Sequence, residues 1–140
     1  MSDMPNELSH TDDPLLRLRS YRLAREVSRL GWDDVVRLSR QPLGRTIADQ
    51  LYRSLGSIGA NLADGYGRSS GRDRVRFFEY ALGETRESTH WYEVAAPLLD
   101  AERVRSQLAM LTEIRRMLLT TIPRDRDRLI RPHDVASLGR

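Results

Sequence analysis

The sequence predicts an all-α domain built as an antiparallel up-and-down four-helix bundle. Three observations carry that prediction: four segments with apolar residues recurring every three or four positions, short connections marked by proline, glycine and capping residues, and no run that alternates like a strand. With 140 residues, 39% of them hydrophobic, the chain is long enough for one core and too short for two of ordinary size.

Residues 1–13 are polar and acidic, contain Pro5 and show no helical period, so they read as a flexible acidic arm. Asp12 or Asp13 ahead of Pro14 supplies a cap followed by a first-turn proline, which starts the first helix there. Leu16, Leu23, Val27, Leu30, Val35 and Leu38 mark its inner face as far as Ser39, Gly31 is its weak point, and Pro42 ends it. The second helix runs from about Leu43 to Ala63 on Ile47, Leu51, Leu55, Ile58 and Leu62, with Gly65 and Gly67 as its terminators. Ser69 or Ser70 caps the third, whose seam is Val75, Phe78, Leu82, Thr89, Ala96 and Leu99 and whose last turn Pro97 breaks. Asp100 caps the fourth, where Val104, Leu108, Leu111, Leu118 and Ile122 face inward, widened by Met110, Ile114 and Met117; Pro123 stops it. The bundle therefore spans 14–122, and 123–140, rich in Arg, Asp and Pro, reads as a flexible basic tail.

Cysteine is absent, which excludes disulfides, thiolate metal sites and cysteine nucleophiles. No apolar run approaches the roughly 18 residues of a membrane span, and the start of the chain lacks the pattern of a signal peptide, so a cytoplasmic protein is expected. All 23 basic residues are arginine and the net charge is +3. Arginine is a planar, permanently charged fork suited to carboxylates and phosphates. Because 1–14 holds Asp3, Glu7, Asp12 and Asp13 and no arginine, the positive excess lies wholly in the remainder of the chain.

Gln50, Ser54, Ser57, Asn61 and Asp64 fall on one line of the second helix, a polar ladder beside its apolar seam. Gly56 with Ala60 and Gly59 with Ala63 form small pairs one turn apart; a mid-helix glycine costs about 1 kcal/mol against alanine, which points to close approach by another helix. Glu84, Glu87 and Ser88 share a face of the third helix, in reach of Arg53, Asn61 or Arg68. The alternative is that ladder and acids simply face solvent.

The run from Gln50 to Glu87 resembles the signature of the bacterial four-helix-bundle proteins encoded by intervening sequences within large-subunit ribosomal RNA genes. The matching positions are Gln50, Arg53, Ser57 with Ile58, Asn61 through Gly65, Arg68, Phe78, Gly83 and Glu87. Asp64 stands where the family has glutamate, Leu62 where it has isoleucine, and Glu84 where it commonly has serine. The resemblance implies a four-helix bundle assembling into a homopentameric ring, with no enzyme activity. It also implies distant similarity to the accessory protein of diversity-generating retroelements, which binds nucleic acid and a reverse transcriptase.

Chemistry finds little purchase. Glu87 with His90 has the Glu-x-x-His spacing of di-metal bundles, but the only other such pair, Glu7 with His10, lies in the arm, so no metal or cofactor is expected. GYGRSSG follows a helix, not a strand, and offers no lysine for a phosphate loop. Its Arg68, with Arg72, Arg74 and Arg76, forms instead the first candidate contact for nucleic acid. Arg19, Arg22, Arg25 and Arg29, at helical spacing on the first helix, form the second; a solvated face partly paired with Glu26 is the competing reading. Trp32, Trp91 and Tyr92 are candidates for base stacking or for packing. The function expected is a non-enzymatic homo-oligomer that binds RNA or DNA through phosphates with little base specificity; the alternative is a scaffold ring that docks a larger protein such as a reverse transcriptase.

Overall fold

The computed structural model describes residues 12–126. Four helices, α1 (Arg19–Ser39), α2 (Arg45–Tyr66), α3 (Gly71–Ala95) and α4 (Ala101–Arg126), pack in sequence order, with α4 closing onto α1. Contacts between residues distant in sequence run antiparallel throughout: Trp32 meets Tyr52, Arg53 meets Glu84, Glu79 meets Arg126, and Val27 meets Gln107. The fold is thus an all-α up-and-down bundle, and among the described residues no helix is long and apolar enough to cross a membrane. Most of residues 1–13 and 123–140 lies outside the described segment.

Local chemistry sets the ends. Asp13 accepts from the Leu15 amide at 2.9 Å, but Pro14–Arg17 forms only a 3-10 turn, and Leu18 is extended (φ −74°, ψ 110°). The first α-helix therefore begins at Arg19 and not at Pro14, and Arg22 reaches back to cap the Leu16 carbonyl at 2.8 Å. Ser70 accepts from the Asp73 amide, and Asp100 from the Arg103 amide at 3.2 Å, as capping requires. Gly65 does not terminate α2: it is buried inside it, and a Cβ there would lie 2.9 Å from Phe77 and from the Phe78 ring. Pro123 does not stop α4, which continues to Arg126; the carbonyl freed by the missing N–H belongs to exposed Leu119, where water can satisfy it, while Arg126 fastens the last turn to Glu79 at 2.6 Å.

The core is the expected stripe on α2 (Leu51, Leu55, Ile58, Leu62) facing Phe78 and Leu82 from α3 and Leu111, Ile114 and Leu118 from α4. Each such side chain stabilises the fold by about 1.5–3 kcal/mol. On α1 the buried line differs from the expected one: Ser20, Ala24, Val27, Gly31, Asp34 and Leu38 face inward, while Leu23 and Val35 are only partly covered. The reason lies opposite. Asp34 accepts from the Tyr92 hydroxyl (2.7 Å) and from Arg103, whose other donor holds the Leu30 carbonyl; Gln107 donates to both Tyr92 Oη and the Val27 carbonyl at 2.8 Å. Burial drives the Tyr92 phenol well above its ordinary pKa, so it stays a donor to Asp34. Gly31 leaves room for this cluster, since a Cβ there would meet Leu55 Cδ1 at 2.5 Å and Tyr92 Oη at 3.0 Å. It is a packing requirement and not a weak point.

Candidate nucleic-acid interface

An even number of antiparallel helices puts the chain's start, its middle turn and its finish at one end of the bundle. Arg17, Arg19 and Arg22 at the start of α1, Arg68 to Arg76 around the α2–α3 turn, and Arg124 and Arg126 at the end of α4 consequently share that end. The two candidate patches are thus neighbours in topology. These nine arginines share their end with Asp13, Asp64, Asp73, Glu79 and Asp125, whereas at the opposite end only Arg37, Arg40, Arg45, Arg103 and Arg105 are set among Asp33, Asp34, Asp49, Glu93, Asp100 and Glu102.

Within the basic end the arginines differ in what remains free. The Arg68 guanidinium lies 4.4 Å from the Phe77 ring centre and that of Arg76 5.4 Å from the same ring. A guanidinium held by its face keeps its in-plane N–H donors for an anion. Arg76 is also 3.8 Å from Asp73, a loose, exposed pair that contributes little. Arg72 is exposed and lines a groove with Asp73, Val75, Arg76, Glu79 and Arg126. Arg74 is different: it donates to the Tyr66 carbonyl at 3.2 Å beneath the Tyr66 ring, so it braces the turn. On α1, Arg29 is bound to Glu26 at 2.7 Å, Arg25 leans on Tyr21, and Arg22 holds the Leu16 carbonyl. The Arg29 donors are thus engaged, and the pairing holds Glu26 below the usual carboxylate range.

The polar ladder divides. Ser54 is fully buried and accepts from Ser88 of α3 at 2.9 Å. Ser57 and Asn61 bond back to the Arg53 and Ser57 carbonyls of their own helix, Gln50 is half-buried, and Asp64 is exposed. Arg53 is the residue that spans the groove, donating to Glu84 at 3.3 Å and to Glu87, which also accepts from Trp91. Hydrogen bonding from Arg53 holds Glu87 below its ordinary pKa, whereas burial pushes Glu84 up against the pull of the same arginine. Neither Asn61 nor Arg68 reaches these acids. The small pairs act unequally as well: Gly59 touches Tyr21 and Ala24 of α1 at ordinary distance, but Gly56 has nothing within 4 Å.

Glu87 is committed to Arg53 and Trp91, and His90 stacks edge-on against Trp91; among the described residues no three metal-ligating side chains converge. Of the aromatic candidates Tyr92 is fully buried and Trp91 half-buried, which removes Tyr92 from any surface role. Trp32 is exposed and packs edge-to-face on exposed Tyr52 at 5.6 Å, nearer the less basic end. Sequence reasoning passed over Phe77, Tyr66 and Tyr80. The interleaving of Phe77 with Arg74 and Arg76 next to the glycine turn was the available signal.

The model of the 23S rRNA-intervening sequence protein family matches residues 18–120, from the start of α1 through most of α4. The chain belongs to that family. A crystal structure of a protein of unknown function from the S23 ribosomal protein family of Bacteroides thetaiotaomicron superposes with a TM-score of 0.69 at 24% identity, over 74% of this chain and 97% of that one. That similarity speaks for the fold. Among curated proteins none matches the sequence. Several positions on which the family resemblance rests hold helices together: Gly65 admits Phe78, Arg53 binds Glu87, and Ile58 lies in the core.

Proposed function

We propose that this intervening sequence protein is a non-catalytic, cytoplasmic homo-oligomer that binds nucleic acid through its phosphates at the basic end of the bundle. The observation that carries the reading is the pair of exposed arginines Arg68 and Arg76, both over the Phe77 ring, beside exposed Arg72. The family's name ties it to intervening sequences of 23S rRNA, which makes RNA the first ligand to try. Replication of this end around a ring of subunits, a pentamer on the family resemblance, multiplies a modest charge into a rim that engages several phosphates. Exposed Trp32 and Tyr52 supply an apolar contact suited to a neighbouring subunit.

The test is anisotropy of labelled RNA against salt, with native mass measured in parallel. Replacing Arg68, Arg72 and Arg76 by Gln is expected to weaken binding and to flatten the salt dependence by about two units of slope or more. Replacing Arg37, Arg40 and Arg45 removes the same formal charge from the other end and is expected to change affinity far less. Absence of binding at low salt by an intact oligomer overturns the reading. It would favour the adaptor alternative, which the Trp32–Tyr52 pair, set apart from the basic end, also suits: docking of a larger protein such as a reverse transcriptase.

A further inference from the structure

Tyr80 is one turn along α3 from Phe77 and 52% exposed, and its ring meets Phe77 edge-to-face, with centroids 5.8 Å apart and planes at 88°. Phe77 is thus the common neighbour of the Arg68 and Arg76 guanidinium groups and of an open aromatic ring. Among the described residues no cation lies over Tyr80, and no hydrogen bond or core contact accounts for an aromatic side chain there. Gly65 lets the end of α2 sit against Phe77 and Phe78, and Arg74 ties α3 to the Tyr66 carbonyl, so the packing of the two helices places Phe77 beside the turn that carries Arg68.

Duplex nucleic acid presents phosphates but hides its base faces in the stack; a single strand offers both. We propose that this corner selects single-stranded nucleic acid, with one unstacked base lying on Tyr80 while Arg68 and Arg76 hold adjoining phosphates. The inference rests on the phosphate-binding reading above and adds the strandedness of the ligand. Stacking uses a π face that every base has, so selection is for accessible bases and not for sequence. Arg72 adds a further exposed cation beside the corner, in a groove where Arg126 is already bonded to Glu79.

The experiment compares a short single-stranded RNA, the DNA strand of the same sequence, an abasic version of that DNA, and the corresponding duplex, each titrated with the intact protein at one salt concentration. Single strands are expected to bind more tightly than the abasic strand and the duplex. Tyr80→Leu is expected to weaken single-strand binding about fivefold or more, the effect of losing one base–aromatic stack, and to leave the duplex and abasic values unchanged; Tyr80→Trp retains the preference. Thermal melting of both variants checks the fold. The inference is overturned if wild-type protein binds abasic and natural strands equally, or if Tyr80→Leu lowers duplex and single-strand affinity alike. If the Arg68, Arg72 and Arg76 replacements leave all four affinities unchanged, the phosphate reading itself has failed. Should Tyr80→Leu not fold, the abasic comparison on unaltered protein decides the matter alone.

Discussion

Replacing glycine by alanine at two positions of this bundle is expected to shift stability in opposite directions, and the structure sets both signs. A Cβ on Gly31 would stand 2.5 Å from Leu55 Cδ1, 3.0 Å from Tyr92 Oη and 3.3 Å from Gln107 Nε2. Leu55 could rotate in isolation, but it is 2% exposed and enclosed by the core, and Tyr92 and Gln107 are fixed by bonds of 2.7 and 2.8 Å. Overpacking costs about 1–3 kcal/mol and stretching a buried hydrogen bond about 1 kcal/mol more, against about 1 kcal/mol gained in helix propensity. The net loss is about 2 kcal/mol, a fall in Tm of roughly 6–10 °C for a chain of this size. At Gly56 nothing lies within 4 Å, so Gly56→Ala keeps only the propensity gain, about 0.5–1 kcal/mol. Calorimetry or urea unfolding of both variants at one protein concentration reads the difference. A Gly31→Ala protein as stable as wild type would refute the account of that contact.

Tyr92→Phe removes the hydroxyl between Asp34 and Gln107 and is expected to lower stability by about 1–3 kcal/mol in urea unfolding, with the helical signal unchanged; an unaltered midpoint would show the cluster to be idle. Arg53→Met, at a half-exposed site, is expected to cost only about 0.5–1 kcal/mol, but carboxyl NMR should show Glu87 rising toward its ordinary pKa. The two acids respond oppositely to pH. Glu87, lowered in the fold, stabilises above the ordinary glutamate pKa and loses this as pH falls through its folded value; Glu84, raised, stabilises below the ordinary value and loses this as pH rises through its folded one. Glu84→Gln therefore leaves the Glu87 dependence uncompensated, and its unfolding midpoint is expected to drop more steeply on acidification than that of wild type. Parallel curves would contradict the assignment.

The seams of α2 and α4 were legible because Leu51, Leu55, Ile58 and Leu62, and Leu111, Leu118 and Ile122, are large and regularly spaced. On α1 the same rule selected Val27 and Leu38, which are fully buried, but also Leu23, Leu30 and Val35, which are only partly covered, while Ser20, Ala24, Gly31 and Asp34 take the inward positions between. What fills the space beside Gly31 and Asp34 comes from Tyr92 and Gln107, 58 and 80 residues away from their partners Asp34 and Val27, and no local pattern announces it. The ladder shows a related limit. Ser54, Ser57 and Asn61 are equivalent as a line on a helical wheel, but only Ser54 is directed at α3; the others satisfy themselves on their own backbone. Pro123 misled for a third reason, since the residue whose carbonyl loses its partner, Leu119, is exposed, and a lost backbone bond costs least where water has access.

Charge placement follows from topology more than from any single motif. Arginines near the start, the middle and the end of the chain look scattered in sequence, and each cluster alone is modest. Folding into an even number of alternating helices gathers all three at one end, while the acid-rich segments around 33, 49 and 100 gather at the other. An odd number of helices would send the finish of the chain to the far end and undo the polarity. The same architecture explains why Arg53 and Arg103, with carboxylates arriving from neighbouring helices, are spent on holding the bundle together, whereas at the rim Arg68 and Arg76 lie over the Phe77 ring and Arg76 has only a loose, exposed pairing with Asp73 of its own helix. The margin keeps free arginine because nine arginines gather there against fewer carboxylates, and among the described residues no neighbouring helix supplies Arg68 with an acid.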